Sequence, residues 1–304
     1  MLNTAVLGSG ALTARFSGWR QRAKWQELGP SVAIGVLLAI LFYRPFVTLL
    51  RDWWQQPDAG HGLLLAPAAL WLFWREGLRP HAREEGQAAI GATMLVAAVV
   101  VRYASGLAVE LFTMRASMIG ALIALTVYFY GMRQLRRWWL PFTLLLLSIP
   151  LPELVTQALA LPLQFKASQM GAALLETRHV PVRLSGNVIR IPGHDLFVTE
   201  ACSGLRSLTA LLSTAILAGA LFLRRPVTRV ALVVLVIPVA IAINGIRVFL
   251  TGFLVYYVSP SFGTGFMHVT EGWLLFLVSL GALAVFVLLG SYAERRFVPI
   301  SQHA

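Results

Sequence analysis

Charge is scarce in this chain. Of its 304 residues, 12% are charged and 58% are apolar. A soluble domain carries about a quarter charged residues, so the side chains that would cover a soluble surface are missing. Together with a mean hydropathy of +0.73, this excludes an ordinary soluble domain and points to a chain solvated by lipid. Acidic residues are scarcer still, 13 Asp+Glu against 25 Lys+Arg, for a net charge of +12. In a soluble protein that excess would read as a nucleic-acid footprint. In a membrane protein it reads as arginine-rich cytoplasmic loops, and no nucleic-acid partner is expected. Cysteine is nearly absent: Cys202 stands alone. An intrachain disulfide and a zinc site with two or more thiolates are both excluded, and no cofactor or metal is expected. A lone thiol is either an inert core residue or a nucleophile. A cleavable secretory signal is missing too. The basic stretch Arg15 to Lys24 runs into a long apolar segment with no small-residue cleavage site.

What is present is a series of apolar runs. They read as about eight transmembrane helices: Ser31 to Leu50, His61 to Trp74, Gln87 to Val101, Leu107 to Tyr130, Trp138 to Ile149, Leu208 to Leu223, Val230 to Val258 and Trp273 to Tyr292. With a cytoplasmic N-terminus, the inner loops carry Arg75, Arg79 and Arg83, then Arg133, Arg136 and Arg137, then Arg224, Arg225 and Arg229, and finally Arg295 and Arg296. The two shortest outer loops, around Ser105 and over Ser259 to Thr270, carry no Lys or Arg. Both termini are therefore expected inside, as the positive-inside rule requires. Residues 1–30 form a basic cytoplasmic arm, 31–296 the membrane domain and 297–304 a cytoplasmic tail. The fold class is all-α, polytopic and membrane-embedded.

One outer segment, 151–207, is too polar to be a span. Its first half, Glu153 to Glu176, has Leu154, Ala158, Leu161 and Phe165 at helical spacing and reads as an amphipathic helix at the outer interface. Its second half alternates branched residues around Ser185-Gly186-Asn187 and Pro192-Gly193, the pattern of a small β-hairpin or meander. It delivers the chain to Cys202.

Cys202 falls where that extended segment ends and the sixth predicted span begins. Backbone N–H groups at a helix start stabilise a thiolate and can donate to an oxyanion. Gly204 permits close approach of a substrate backbone, Ser203 and Arg206 flank the thiol, and Glu200 either orients a neighbour or accepts hydrogen bonds at the helix start. Arg247 lies about ten residues inside the seventh span, roughly 15 Å from its outer end at helical rise. An arginine there is costly and faces a polar cavity with a partner, or is structurally paired. Asn244 shares its helical face, as a site residue or a packing amide. His268 precedes the eighth span on the outer side, and an imidazole is the usual base for a thiol. Glu271, three residues on, orients it or is simply a charge at a helix start. His61, at a helix start, is a cap or a group that admits substrate. His179 and His194 are weaker candidates, and Arg44, Arg102, Glu110 and Arg115 read mostly as structural pairs. A thiol, a buried guanidinium and an imidazole on three consecutive spans imply acyl transfer through a thioester.

These motifs resemble the exosortase/archaeosortase family. The resemblance rests on Glu200-Ala-Cys-Ser-Gly-Leu-Arg, on Asn244-Gly-Ile-Arg247, and on His268 ahead of a Gly-Trp pair. It extends to Asp58-Ala-Gly-His-Gly-Leu-Leu-Leu-Ala-Pro, Leu70-Trp-Leu-Phe-Trp-Arg and Gly186-Asn-Val-Ile-Arg-Ile-Pro-Gly, and covers about Pro30 to Arg296. The resemblance implies a bacterial inner-membrane cysteine protease/transpeptidase with its active site at the extracytoplasmic face. Its partners would be membrane-anchored proteins with a C-terminal sorting signal: a Pro-Glu-Pro type motif, a transmembrane helix and a basic tail. It carries the family's catalytic Cys, Arg and His over to Cys202, Arg247 and His268. Two other classes fit the composition. A transporter or flippase subunit would line a path with Arg44, Arg102, Arg115 and Arg247 and ignore Cys202. A membrane acyltransferase would need His268 but not Cys202.

Overall fold

In lipid no water satisfies backbone N–H and C=O groups, so apolar runs must fold as helices that bond internally. The computed structural model bears this out over the residues it describes, 9–56, 59–198, 205–263 and 265–297; for 9–31, 205–207, 263, 265–273 and 297 it describes the backbone alone. The helices are α1 (Ser9–Gln55), α2 (Gly62–Glu76), α3 (Ala88–Leu107), α4 (Leu111–Arg137), α5 (Trp139–Leu147), α6 (Glu153–Glu176), α7 (Leu205–Phe222), α8 (Pro226–Tyr257) and α9 (Gly265–Phe297). The chain divides into two units, Met1–Arg51 and Asp52–Ala304. The first is the larger part of α1; everything below concerns the second.

Among the described residues, five stretches are long and apolar enough to cross a membrane: Val32–Gln55, Ala88–Leu107, Leu111–Arg137, Pro226–Tyr257 and Leu274–Arg296. The apolar part of α7, Leu208–Phe222, is shorter. The expected fifth span is corrected. Helix α5 has 9 residues, a rise of about 14 Å, under half of a hydrocarbon core of about 30 Å. Pro150 and Pro152 stop it, because neither offers the N–H that would continue the ladder. Helix α5 packs lengthwise and antiparallel on α2, with Leu65, Ala69 and Leu72 against Leu140 and Leu144.

Helix α6 forms over the expected residues, but the face it packs is not the one marked by its large apolar residues. Met170 meets Gly245, Gly171 meets Val248 and Leu175 meets Gly252, so α6 and α8 run the same way past one another. The face of α6 that packs carries Ala160, Gln164, Ala167, Ser168, Gly171, Ala172 and Leu175. The apolar residues Leu154, Leu161 and Phe165 point outwards. Small residues inside and large apolar ones outside is the arrangement of helices that associate in lipid, where burying leucine against leucine gains little over lipid. An added Cβ on Gly171 or Gly245 would overlap Val248 or Met170. Gly171→Ala is therefore expected to push α8 aside and lower the thermal midpoint in detergent by about 4 °C or more. Gly171→Ala with Val248→Ala should recover most of it, since the second change vacates the space. No recovery in that double variant would separate the seam from the placement of α8.

Residues 183–197 form a three-stranded antiparallel meander, order β1-β2-β3: β1 (Arg183–Ser185), β2 (Val188–Ile191) and β3 (His194–Phe197). Its two-residue turns contain Gly186 at φ 64° and Gly193 at φ 81°, a region open to glycine at no steric cost. Ile189, Ile191 and Val198 bury one sheet face among Ala167, Ala172 and Leu175 of α6 and Val248 and Val255 of α8. Leu196 of β3 reaches the backbone of α8 at Gly252. The sheet is thus fixed to the helix that carries Arg247.

At the α2–α3 connection, Glu85 accepts from Arg79 Nη1 at 2.9 Å and Nη2 at 3.1 Å, with Arg133 at 3.5 Å. The bonds from Arg79 lower the Glu85 pKa below the ordinary 4.5 against the opposing effect of burial, and the charges of Arg79 and Arg133 add to them. A depressed carboxylate stabilises the fold above its unfolded pKa, and that contribution disappears as pH falls through the folded value. Glu85→Gln should lower the thermal midpoint in detergent at neutral pH, and the gap from the parent should close as pH drops below about 4.5. A gap that persists at low pH would contradict this.

Candidate functional site

Helix α8 is apolar over most of its length, and its packed stripe runs through Leu232, Val236, Ala240, Asn244, Val248, Gly252 and Val255. Asn244 is the polar member of that stripe, 5% exposed. Arg247 follows three residues later and Thr251 four after that, both half-buried. Positions i, i+3 and i+7 lie on one helical face, so α8 presents an amide, a guanidinium and a hydroxyl in line. Each of the three has an interaction partner, as does Thr209 of α7. Thr251 and Thr209 escaped the sequence reading, although the four-residue spacing from Arg247 to Thr251 is a legible signal.

The helices bearing the three motifs pack against one another. Leu211, Ala215 and Leu223 of α7, Leu232, Val236 and Ala240 of α8, and Leu283 and Val287 of α9 form one cluster. Helix α7 begins at Leu205, so Arg206 sits in its first turn. Helix α9 begins at Gly265. His268 and Glu271 are therefore on the helix itself, in its first two turns, and not in a loop ahead of it. Glu200, Cys202, Ser203 and Gly204 lie outside the described residues, and the side chains of Arg206, His268 and Glu271 do as well. A small cavity between α7, α8 and α9 is lined by Leu211, Val236, Leu283 and Phe286, with Ser279 its polar residue. Its apolar lining offers nothing for acyl chemistry.

A second polar cluster joins the end of α1 to the starts of α2 and α4 and the end of α5. The His61 ring Nε2 is 3.0 Å from Leu147 O. Trp53 Nε1 donates to Ser148 O at 2.7 Å. These two side chains occupy carbonyls that the end of α5 leaves without an intrahelical donor. Arg115, 3% exposed, donates to Asp52 at 2.6 Å. Glu110 caps α4, accepting from Phe112 N at 2.9 Å and Thr113 N at 2.7 Å. Burial works against ionisation of Glu110, but the bonds from Thr113 and Phe112 outweigh it and hold its pKa low. The structural readings of Arg115 and Glu110 thus acquire partners, and Asp52, Trp53 and Ser148 are added to them. His61 acts here as a fastening between helices. Among the other candidates, His179 sits in a turn at φ 58° and His194 is an exposed strand residue.

No curated protein matches this chain, and no solved structure does. One family model matches, described as transmembrane exosortase, over residues 53–285. That stretch contains the Cys202, Arg247 and His268 motifs, the meander and all but the last turns of α9. The match covers most of the chain, and the chain belongs to the transmembrane exosortase family.

Proposed function

We propose that this protein is a membrane-embedded cysteine peptidase/transpeptidase that processes C-terminal sorting signals of exported proteins through a thioester. The observation that carries the proposal is the family match over 53–285. It encloses Cys202, three residues ahead of α7 in the sequence, together with Arg247 on α8 and His268 on α9, and these three helices pack on one another. In the reaction the Cys202 thiolate attacks the carbonyl carbon of the scissile peptide. Arg247 holds the thiolate or the oxyanion of the tetrahedral species, a charge that a pre-placed, half-buried guanidinium stabilises better than water does. His268 gives a proton to the departing amine, the C–N bond breaks and the thioester remains. Water or an amine then attacks the thioester carbonyl, and the sulfur leaves as thiolate. Asn244 supports Arg247 on its face. Glu200, Ser203, Gly204, Arg206 and Glu271 support the thiol and the imidazole.

The proposed topology keeps both termini in the cytoplasm and the active site at the extracytoplasmic face of the bacterial inner membrane. The fifth pass is built from α5 and α6 together, broken at Pro150-Leu151-Pro152. This keeps the basic loops inside and fits α6 running parallel to α8. A substrate anchored by its own helix meets the site at high effective concentration, so a weak motif contact suffices.

The test uses a reporter ending in an extended Pro-Glu-Pro segment, an apolar helix and an arginine tail, in membranes containing the full chain. Cleavage that depends on Cys202, and labelling of Cys202 by a thiol probe that the reporter blocks, are expected. Cleavage or transport indifferent to Cys202 would favour the acyltransferase or transporter class instead.

A further inference from the structure

Strand β3 is the edge of the meander nearer the cysteine motif, and its backbone is half used. Val198 N donates to Asn187 O at 3.0 Å, which marks Asn187 and Val198 as a hydrogen-bonded pair. In an antiparallel ladder such pairs alternate. Ile189 with Leu196 and Ile191 with His194 are therefore the next ones along. Asp195 and Phe197 fall between them, so their N–H and C=O groups point away from β2. Among the described residues no backbone hydrogen bond reaches that edge. An unpaired edge is a template for another extended chain. The opposite edge is shorter: β1 has 3 residues and packs beside α6.

Resting on the peptidase reading above, we infer that the substrate's extended segment, just before its membrane helix, binds as a fourth strand on the outer edge of β3. Three observations select this occupant. Phe197 and Cys202 are five residues apart in sequence, so the nucleophile lies at most about 18 Å of chain from a peptide paired with Phe197. Leu196 fixes β3 to α8 at Gly252, five residues beyond Arg247, about 7.5 Å along the helix. The exposed face of the sheet carries Arg183 and Arg190 in one cross-strand row against the single carboxylate of Asp195. That positive excess attracts an acidic segment and disfavours pairing with a second, equally positive copy of the same sheet. Phe197, 64% exposed, offers its ring to the residue beside it.

Strand addition has a period of two. The substrate residue paired with Phe197 must supply an N–H and is not proline, whereas its two neighbours face away and tolerate proline. Single-proline scanning of the reporter segment, with the enzyme unchanged, should therefore lower kcat/KM about fivefold or more at alternate positions only. On the enzyme, Phe197→Pro should raise KM about tenfold with kcat within about twofold, because this N–H serves no bond inside the sheet. A photo-crosslinking amino acid at Phe197 of the full chain, in a Cys202→Ala background, should capture the reporter segment, and one at Arg183 should not. Scanning without alternation, or capture of a second enzyme copy in place of the reporter, overturns strand addition and leaves Cys202-dependent cleavage standing. Cleavage that survives Cys202→Ala overturns the peptidase reading and this inference with it.

Discussion

Cys202→Ala is expected to abolish processing of a membrane-anchored reporter, by about a thousandfold or more, while the protein still inserts and folds. Removing a nucleophile leaves only what oxyanion stabilisation and binding contribute, since no other side chain forms the covalent intermediate. Cys202→Ser should be almost as severe. A hydroxyl is much harder to deprotonate than a thiol and is the weaker nucleophile at neutral pH. The check is the rate of C-terminal fragment release, alongside membrane yield and a detergent melting curve. Normal processing by Cys202→Ala would remove the thioester mechanism.

The second large effect belongs to Arg247. Arg247→Ala should lower kcat about a hundredfold to a thousandfold with little change in KM. In the proposed mechanism the charge it stabilises is on the thiolate or in the transition state, and is absent from the bound substrate. Arg247→Lys should recover part of that loss, because a point charge replaces the planar fork but not its directed donors. A structural arginine would behave differently. Its loss would lower membrane yield or melting temperature and leave the catalytic rate of the surviving protein intact. Placing a guanidinium in a span costs about 2.5–3.5 kcal/mol on insertion scales. Asn244 and Thr251 share its face but carry no charge, so they should affect the rate less than Arg247 does.

Much of this fold is legible from local rules. The apolar runs, their punctuation by proline and glycine and the basic loops anticipate α2 to α5, α7 and α8 to within about two turns at each end, whereas α1 starts at Ser9, well ahead of the expected Ser31. The limits of α6 fall at Glu153 and Glu176, where the apolar spacing puts them. What local rules miss is direction and length in three dimensions. Pro150 and Pro152 mark the end of α5, and the misjudgement is to count so short a run as a full span. Local rules also do not say that α6 turns to follow α8, because that path depends on Gly171, Gly245 and Gly252 meeting across sequence separations of about 75 residues. The start of α9 is misjudged for a related reason. Gly265 to Gly272 is less apolar than the run that follows, so a hydropathy reading starts the helix too late and leaves His268 in a loop. At the site, Arg247 and Asn244 are legible because polar side chains stand out within an apolar run. Asp52 is not, since only the fold brings it 2.6 Å from Arg115, 63 positions away.

The proposed mechanism stands or falls with a thioester on Cys202. The direct measurement is mass spectrometry of the full-length enzyme quenched in acid during reporter turnover, with and without hydroxylamine. A peptide containing Cys202 should carry the reporter's upstream portion as a hydroxylamine-labile adduct. The adduct should be absent in Cys202→Ala and build up when the accepting nucleophile is withheld. Reporter cleavage at full rate with Cys202 unmodified throughout would contradict it.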